Sequence, residues 1–192
     1  MAKAPVRADA ARNKEKIASI ARECFVEQGL EVSLDAVAKR AGVGPGTLYR
    51  HFPSREDLIA EVLTAELGDL EQVYASLRSA DLGGEERLER WSVALRLWMT
   101  SYAGLPDPLR ASLDAKAGPL GVKCSTVIAW TDALVDQARR DGAVQDFVTG
   151  RGFYRAVLGA AWAASASDDP READADALGR FVRDGWRAAP GV

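Results

Sequence analysis

The residues from Ala41 to Phe52 read AGVGPGTLYRHF, with glycines at positions 42, 44 and 46. Glycines this closely spaced can bring backbone N–H groups up to a phosphate, as nucleotide-binding loops do. They can also form the tight corner between two helices. The surroundings decide between these. A dinucleotide fingerprint follows a strand and is itself followed, about twenty residues on, by an acidic residue in a βαβ unit. A P-loop closes with Gly-Lys-Ser/Thr. Here Gly46 leads into Thr47 and Leu48, and the preceding Leu34, Val37, Ala38 and Ala41 recur at helical spacing. Two short helices joined by a glycine corner remain, a helix-turn-helix. Gly44 and Gly46 leave the leading end of its second helix without side chains, so its backbone can approach a neighbour, which in this motif is the edge of the DNA major groove.

Other chemistry finds no support. The single histidine, His51, lies inside this stretch, and Cys24 and Cys124 have no metal-ligand spacing. Glu85-Glu86 and Asp168-Asp169 are adjacent pairs, which point apart and solvate. No catalytic residues, metal site or cofactor are expected. Two reduced thiols fit a cytoplasmic protein, and no apolar run is long enough to span a bilayer. The net charge of −3 conceals an asymmetry. Residues 1–55 hold ten Lys/Arg and six Asp/Glu, and the remainder holds fifteen and twenty-two. A basic head on an acidic body suits a polyanion partner.

The elements that position the stretch read as helical throughout. Hydrophobic residues make up 47% of the 192 and charged residues 28%, as in a globular chain. Ile17, Ile20, Ala21, Cys24 and Phe25 form the stripe of a first helix stopped by Gly29. Ser33 caps a helix from Leu34 to Ala41, and Pro45 opens one that runs to His51. Ser54-Arg55-Glu56-Asp57 reads as a capping box with Asp in place of Glu, and opens a long fourth helix. Further helices are expected around Leu88 to Tyr102, up to Ala117, around Val127 to Ala138, from Asp146 to Ser165 and from Glu172 to Arg187, with a polar loop at Ser167 to Arg171. No segment alternates with period two. The expected fold is all-α with about nine helices: a helix-turn-helix domain over 1–57 and a helical bundle over 58–192.

The segment SLDAVAKRAGVGPGTLYRHFPSREDLIAEV, with FVEQGLEVSL before it, resembles the DNA-binding segment of the TetR family of bacterial transcriptional regulators. The resemblance covers roughly residues 12 to 63; beyond it only architecture is shared. It implies DNA contacts from Thr47, Tyr49 and His51, and phosphate contacts from Ser33 and Arg55, each at a helix N-terminus that favours an anion. Arg50 adds a donor, and Gly44-Pro45-Gly46 departs from the Ser, Lys or Thr of many relatives. Base reading then leans on Thr47, Arg50 and Tyr49 and on backbone and shape contacts. The resemblance implies a repressor that binds a palindromic operator as a dimer and is released by a small molecule. A helical protein-binding adaptor is the alternative, though it leaves AGVGPGTLYRHF unexplained.

All five tryptophans lie in the C-terminal part. Trp91, Trp98 and Tyr102 fall at spacings of seven and four, on one helical face. Trp98, Tyr102, Asp114, Trp130 and Thr131, with Arg96, are candidates for an apolar effector pocket with a few polar groups. For the dimer, the candidates are Val157, Ala160, Ala161 and Ala164 on a Gly/Ala-rich helix with Leu178, Phe181, Val182 and Trp186 on the last one, two chains closing a four-helix interface.

Overall fold

A computed structural model of the chain describes residues 4–115, 118–166 and 175–188. Among these, nine helices run in order: α1 Ala4–Gln28, α2 Leu34–Arg40, α3 Pro45–His51, α4 Arg55–Ser79, α5 Gly84–Met99, α6 Pro106–Ala115, α7 Pro119–Arg140, α8 Gly150–Ser165 and α9 Ala175–Trp186. The fold is all-α, a helix-turn-helix followed by a helical bundle. Extended pairing among the described residues is limited to an isolated bridge between Val144 and Arg187. The polar loop expected at Ser167 to Arg171, and the start of the last helix at Glu172, lie outside the described residues.

Capping explains where the helices begin. The Ser33 hydroxyl accepts from Ala36 N at 3.1 Å and opens α2. At α4 both halves of the box form: Ser54 Oγ accepts from Asp57 N, and Asp57 accepts from Ser54 N. Pro45 occupies the first turn of α3, where a missing N–H costs nothing.

Two boundaries differ from the sequence expectation. Helix α8 starts at Gly150 rather than Asp146, capped by Thr149, whose hydroxyl accepts from Gly152 N. Residues 143–145 are instead tied to the end of α9, with Gln145 N donating to Trp186 O and Ala188 N to Ala143 O. Helix α5 ends at Met99, so Tyr102 falls in the following turn, off the face that carries Trp91 and Trp98.

The core is one continuous set of buried side chains from Ile17 to Trp186. Helix α4 joins its two ends, burying Leu58, Ile59, Val62 and Leu63 near α1 and Leu70 and Leu77 further along. A second join lies at the α1–α2 turn. Leu30 N donates to Ala103 O at 2.9 Å. Gly29 sits at φ 73°, and a Cβ there would lie 3.0 Å from Ala103 O. Only glycine meets both demands. Phe25 packs edge-on against Tyr102 at 5.9 Å, and the Tyr102 hydroxyl donates to Glu66 of α4. Arg22 of α1 reaches the same carboxylate at 3.4 Å and donates to Val62 O at 3.1 Å. Burial, then the hydrogen bond to Glu66, pushes the Tyr102 hydroxyl well above the ordinary phenol range. It therefore stays protonated and a donor at any physiological pH.

Tyr102→Phe keeps the ring and deletes this donor. It is expected to cost about 2 kcal/mol, the worth of a hydrogen bond to a charged acceptor. Denaturant midpoints at unchanged helicity check this; an unchanged midpoint would show that the hydroxyl stabilises nothing.

Candidate nucleic-acid interface

The corner between α2 and α3 is built from the inside. Leu34, Val37, Ala38 and Ala41 turn inward from α2, and Leu48 and Phe52 from α3, all buried. Gly42 holds φ 69°, the left-handed conformation that ends α2. Its N–H donates to Lys39 O, and that of Val43 to Ala38 O, closing the turn. With Leu48 facing in, α3 presents Gly44, Pro45, Gly46, Tyr49 and Arg50 to the outside, with Thr47 half-exposed. Tyr49 is 46% exposed, so it is not a core partner of Phe52.

Gly44 and Gly46 differ from Gly42. Gly44 has φ −72°, which any residue adopts, and a Cβ at 44 or 46 would meet nothing within 4 Å. Nothing within the chain requires glycine at either position. Over this bare end lies Arg50: its Nε donates to Gly46 O at 3.0 Å and its Nη2 to Thr47 Oγ1 at 3.3 Å. These are exposed local bonds, and the guanidinium remains able to present its fork to a phosphate or a guanine edge.

The structure does not bring all nine expected DNA residues to one surface. Ser33, Gly44, Pro45, Gly46, Thr47, Tyr49 and Arg50 lie outward or half-outward. His51 is half-buried and lines a cleft of about 400 Å³ with Lys14, Phe52, Asp57 and Lys123, because three residues after Leu48 the helix turns back toward α1, α4 and α7. Arg55, expected on phosphate, spends its Nη1 on the carbonyls of Leu30 and Val32, the latter at 2.8 Å. It braces the α1–α2 turn. Arg40 is likewise held, donating to Glu27 at 2.7 Å and to Glu23 at 3.0 Å across to α1. The Arg40 hydrogen bond keeps the Glu27 carboxyl below its ordinary range. One cation escaped the sequence reading. The exposed Lys16 places its Nζ 3.7 Å from the Cβ position of Gly42, at the mouth of the corner. Only the packing of α1 across the motif reveals it.

The expected effector residues scatter. Trp98, Tyr102 and Thr131 are buried, and Trp130 packs in a stack on Tyr74 at 5.3 Å. Thr131 Oγ1 accepts from Trp91 Nε1 at 3.0 Å and donates to Val127 O, so its hydroxyl serves the core. The Asp114 side chain lies outside the described residues. None of the other four lines any of four cavities of about 200 to 400 Å³ among the described residues. The expected dimer residues are displaced around their helices. Val157, Ala161 and Trp186 are buried within the subunit, Ala160, Ala164, Leu178 and Val182 are half-buried, and Phe181 is 77% exposed. The outward stripe of α8 is Gly152, Ala156, Gly159 and Ala163, beside Trp162 at 43% exposed.

A helix-turn-helix with a bare, donor-bearing second helix defines a class of DNA reader. Comparison with known proteins is more specific. The sequence profile "Bacterial regulatory proteins, tetR family" matches residues 17–62. An HTH-type transcriptional regulator of Staphylococcus aureus (strain USA300) is 43% identical over 63 residues, 32% of this chain and 34% of that protein. The match thus spans about a third of the curated relative's length. A TetR transcriptional regulator of Streptomyces coelicolor has a solved structure that is 31% identical, with 92% of this chain and 99% of that one covered and a TM-score of 0.59. A TetR-family regulator of Agrobacterium tumefaciens shares the fold at 18% identity, 93% and 100% coverage and a TM-score of 0.64. The chain belongs to the TetR family of bacterial regulatory proteins.

The two arginines separate by experiment. Arg50→Gln is expected to weaken DNA binding and reduce the slope of log affinity on log salt by about 1, with thermal stability unchanged. Arg55→Gln is expected to lower the thermal midpoint and leave that slope intact. The reverse pattern would move the phosphate contact to Arg55.

Proposed function

We propose that this chain is a ligand-responsive transcriptional repressor that binds a palindromic operator as a homodimer and is released by a small molecule. The observation that carries the reading is the outer face of α3. Two glycines that nothing within the chain requires leave its leading end bare, and Tyr49, Arg50 and Thr47 supply donors beside it. A helix so exposed can sit deep in a major groove, with Ser33 and Lys16 toward the flanking phosphates.

One such helix reads too few base pairs to find a site alone. The exposed face of α8 and α9 supports a twofold partner. Gly152, Ala156, Gly159 and Ala163 let a second α8 approach closely, flanked by the apolar Trp162 and Phe181. Two copies joined there would set their recognition helices about 34–36 Å apart along one face of DNA. Helix α4 carries the signal in this reading, since it begins beside α3 and packs against α5 and α7 along its length. A ligand that favours another spacing must bind more weakly when operator is present, to the degree that it weakens operator binding.

Selection of sites from random duplex DNA tests the reading, and an inverted repeat with two half-sites one helical turn apart is expected. A single half-site or no enrichment would contradict it. Gly159→Arg tests the dimer: its added side chain meets nothing within the subunit. It is expected to fold, to sediment as a monomer and to lose at least tenfold in operator affinity.

A further inference from the structure

We infer that the groove between α5, α8 and α9 binds a small amphipathic carboxylate. It encloses about 200 Å³. Its floor is aliphatic, with Val93 from α5, Val157 from α8 and Val182 from α9. Val93 is 47% exposed at the groove's edge. Its rim carries Arg180 and Arg183 of α9 against the single carboxylate of Glu89. Arg96 lines the same wall and has interactions of its own.

The rim's ion pairs are long and partly exposed. Arg183 Nη1 stands 3.4 Å from Glu89, and its Nε stands 3.4 Å from Asp184. Both distances are long against the 2.7–2.9 Å of a good charge-assisted bond. Arg180 is exposed and has no hydrogen-bond or ion-pair partner among the described residues. Arg96, Arg180 and Arg183 line the groove against Glu89, with Asp184 beside Arg183, and the three guanidiniums outnumber the two carboxylates above an apolar floor. A ligand carboxylate accepts from both arginines while a short hydrocarbon tail lies on the valines. An alcohol of the same length lacks the charge, and inorganic phosphate lacks the tail.

The position gives binding a consequence. Glu89–Arg183 is an ion pair between α5 and α9; Glu85–Arg187, just past the end of α9, is another at 2.6 Å. A carboxylate that takes Arg183 from Glu89 loosens this tie between α5 and α9. Helix α9 carries the exposed Phe181, so its shift alters the face assigned above to the second copy. This consequence, unlike the binding itself, rests on the repressor reading.

The test is calorimetric titration of the full chain, free of DNA, with octanoate, octan-1-ol and inorganic phosphate. Saturable binding of octanoate alone is expected. Arg180→Gln and the double variant with Arg183→Gln should weaken it, the double at least tenfold, with near-ultraviolet circular dichroism unchanged. Absence of saturable octanoate binding overturns the inference. So does equal binding of octan-1-ol, or octanoate binding that survives in the correctly folded double variant. Repeating the titration with the selected operator separates the two claims. Arginine-dependent binding that operator leaves unchanged keeps the site and overturns its role as effector site.

Discussion

The Tyr102 hydroxyl on Glu66 is the polar contact that ties the α5–α6 turn to α4 and, through Arg22, to α1. One carboxylate on α4 receives a phenol from the α5–α6 turn and a guanidinium from α1. Beside it, Phe25 packs against the Tyr102 ring and Leu30 N is bonded to Ala103 O. Three chain segments distant in sequence thus converge on a single buried point. The α5–α6 turn packs directly on both α1 and α4. The α2–α3 corner packs against those two helices.

The recognition helix inverts the usual logic of a packed element. Its inner side is fixed by Leu48 and Phe52, both essentially fully buried. Its outer side is left empty at Gly44 and Gly46, and Arg50 folds across the gap. An empty surface at a helix start costs conformational entropy in the unfolded chain. Among the described residues no neighbour within 4 Å of either Cβ position calls for glycine there.

The helix-turn-helix was legible in the sequence because its determinants are local. Caps at Ser33 and Ser54, the proline at 45 and the stop at Gly42 act within one turn of themselves. The head's apolar stripe at Ile17, Ala21, Cys24 and Phe25 needed only helical periodicity. What the sequence obscured was set by tertiary contacts. Tyr102 looked like the next residue of an aromatic stripe, but α5 stops three residues earlier and the ring belongs to the α1 contact. Arg55 read as a phosphate ligand, and the tertiary structure adds a second role, its Nη1 bonding carbonyls twenty-five and twenty-three residues away. On α8 the Gly/Ala pattern fits several faces, and only burial shows that the stripe through Gly152 and Gly159 is outward while Val157 and Ala161 face the core.

The central claim is that α3 enters the major groove as one of a twofold pair. Hydroxyl-radical footprinting on a selected duplex tests it most directly, since it maps protected sugars with no assumption about contacts. The account predicts symmetric protection on one face of the DNA, with its centres roughly one helical turn, about 10 base pairs, apart. A single protected patch, or protection spread evenly along both strands, would contradict it.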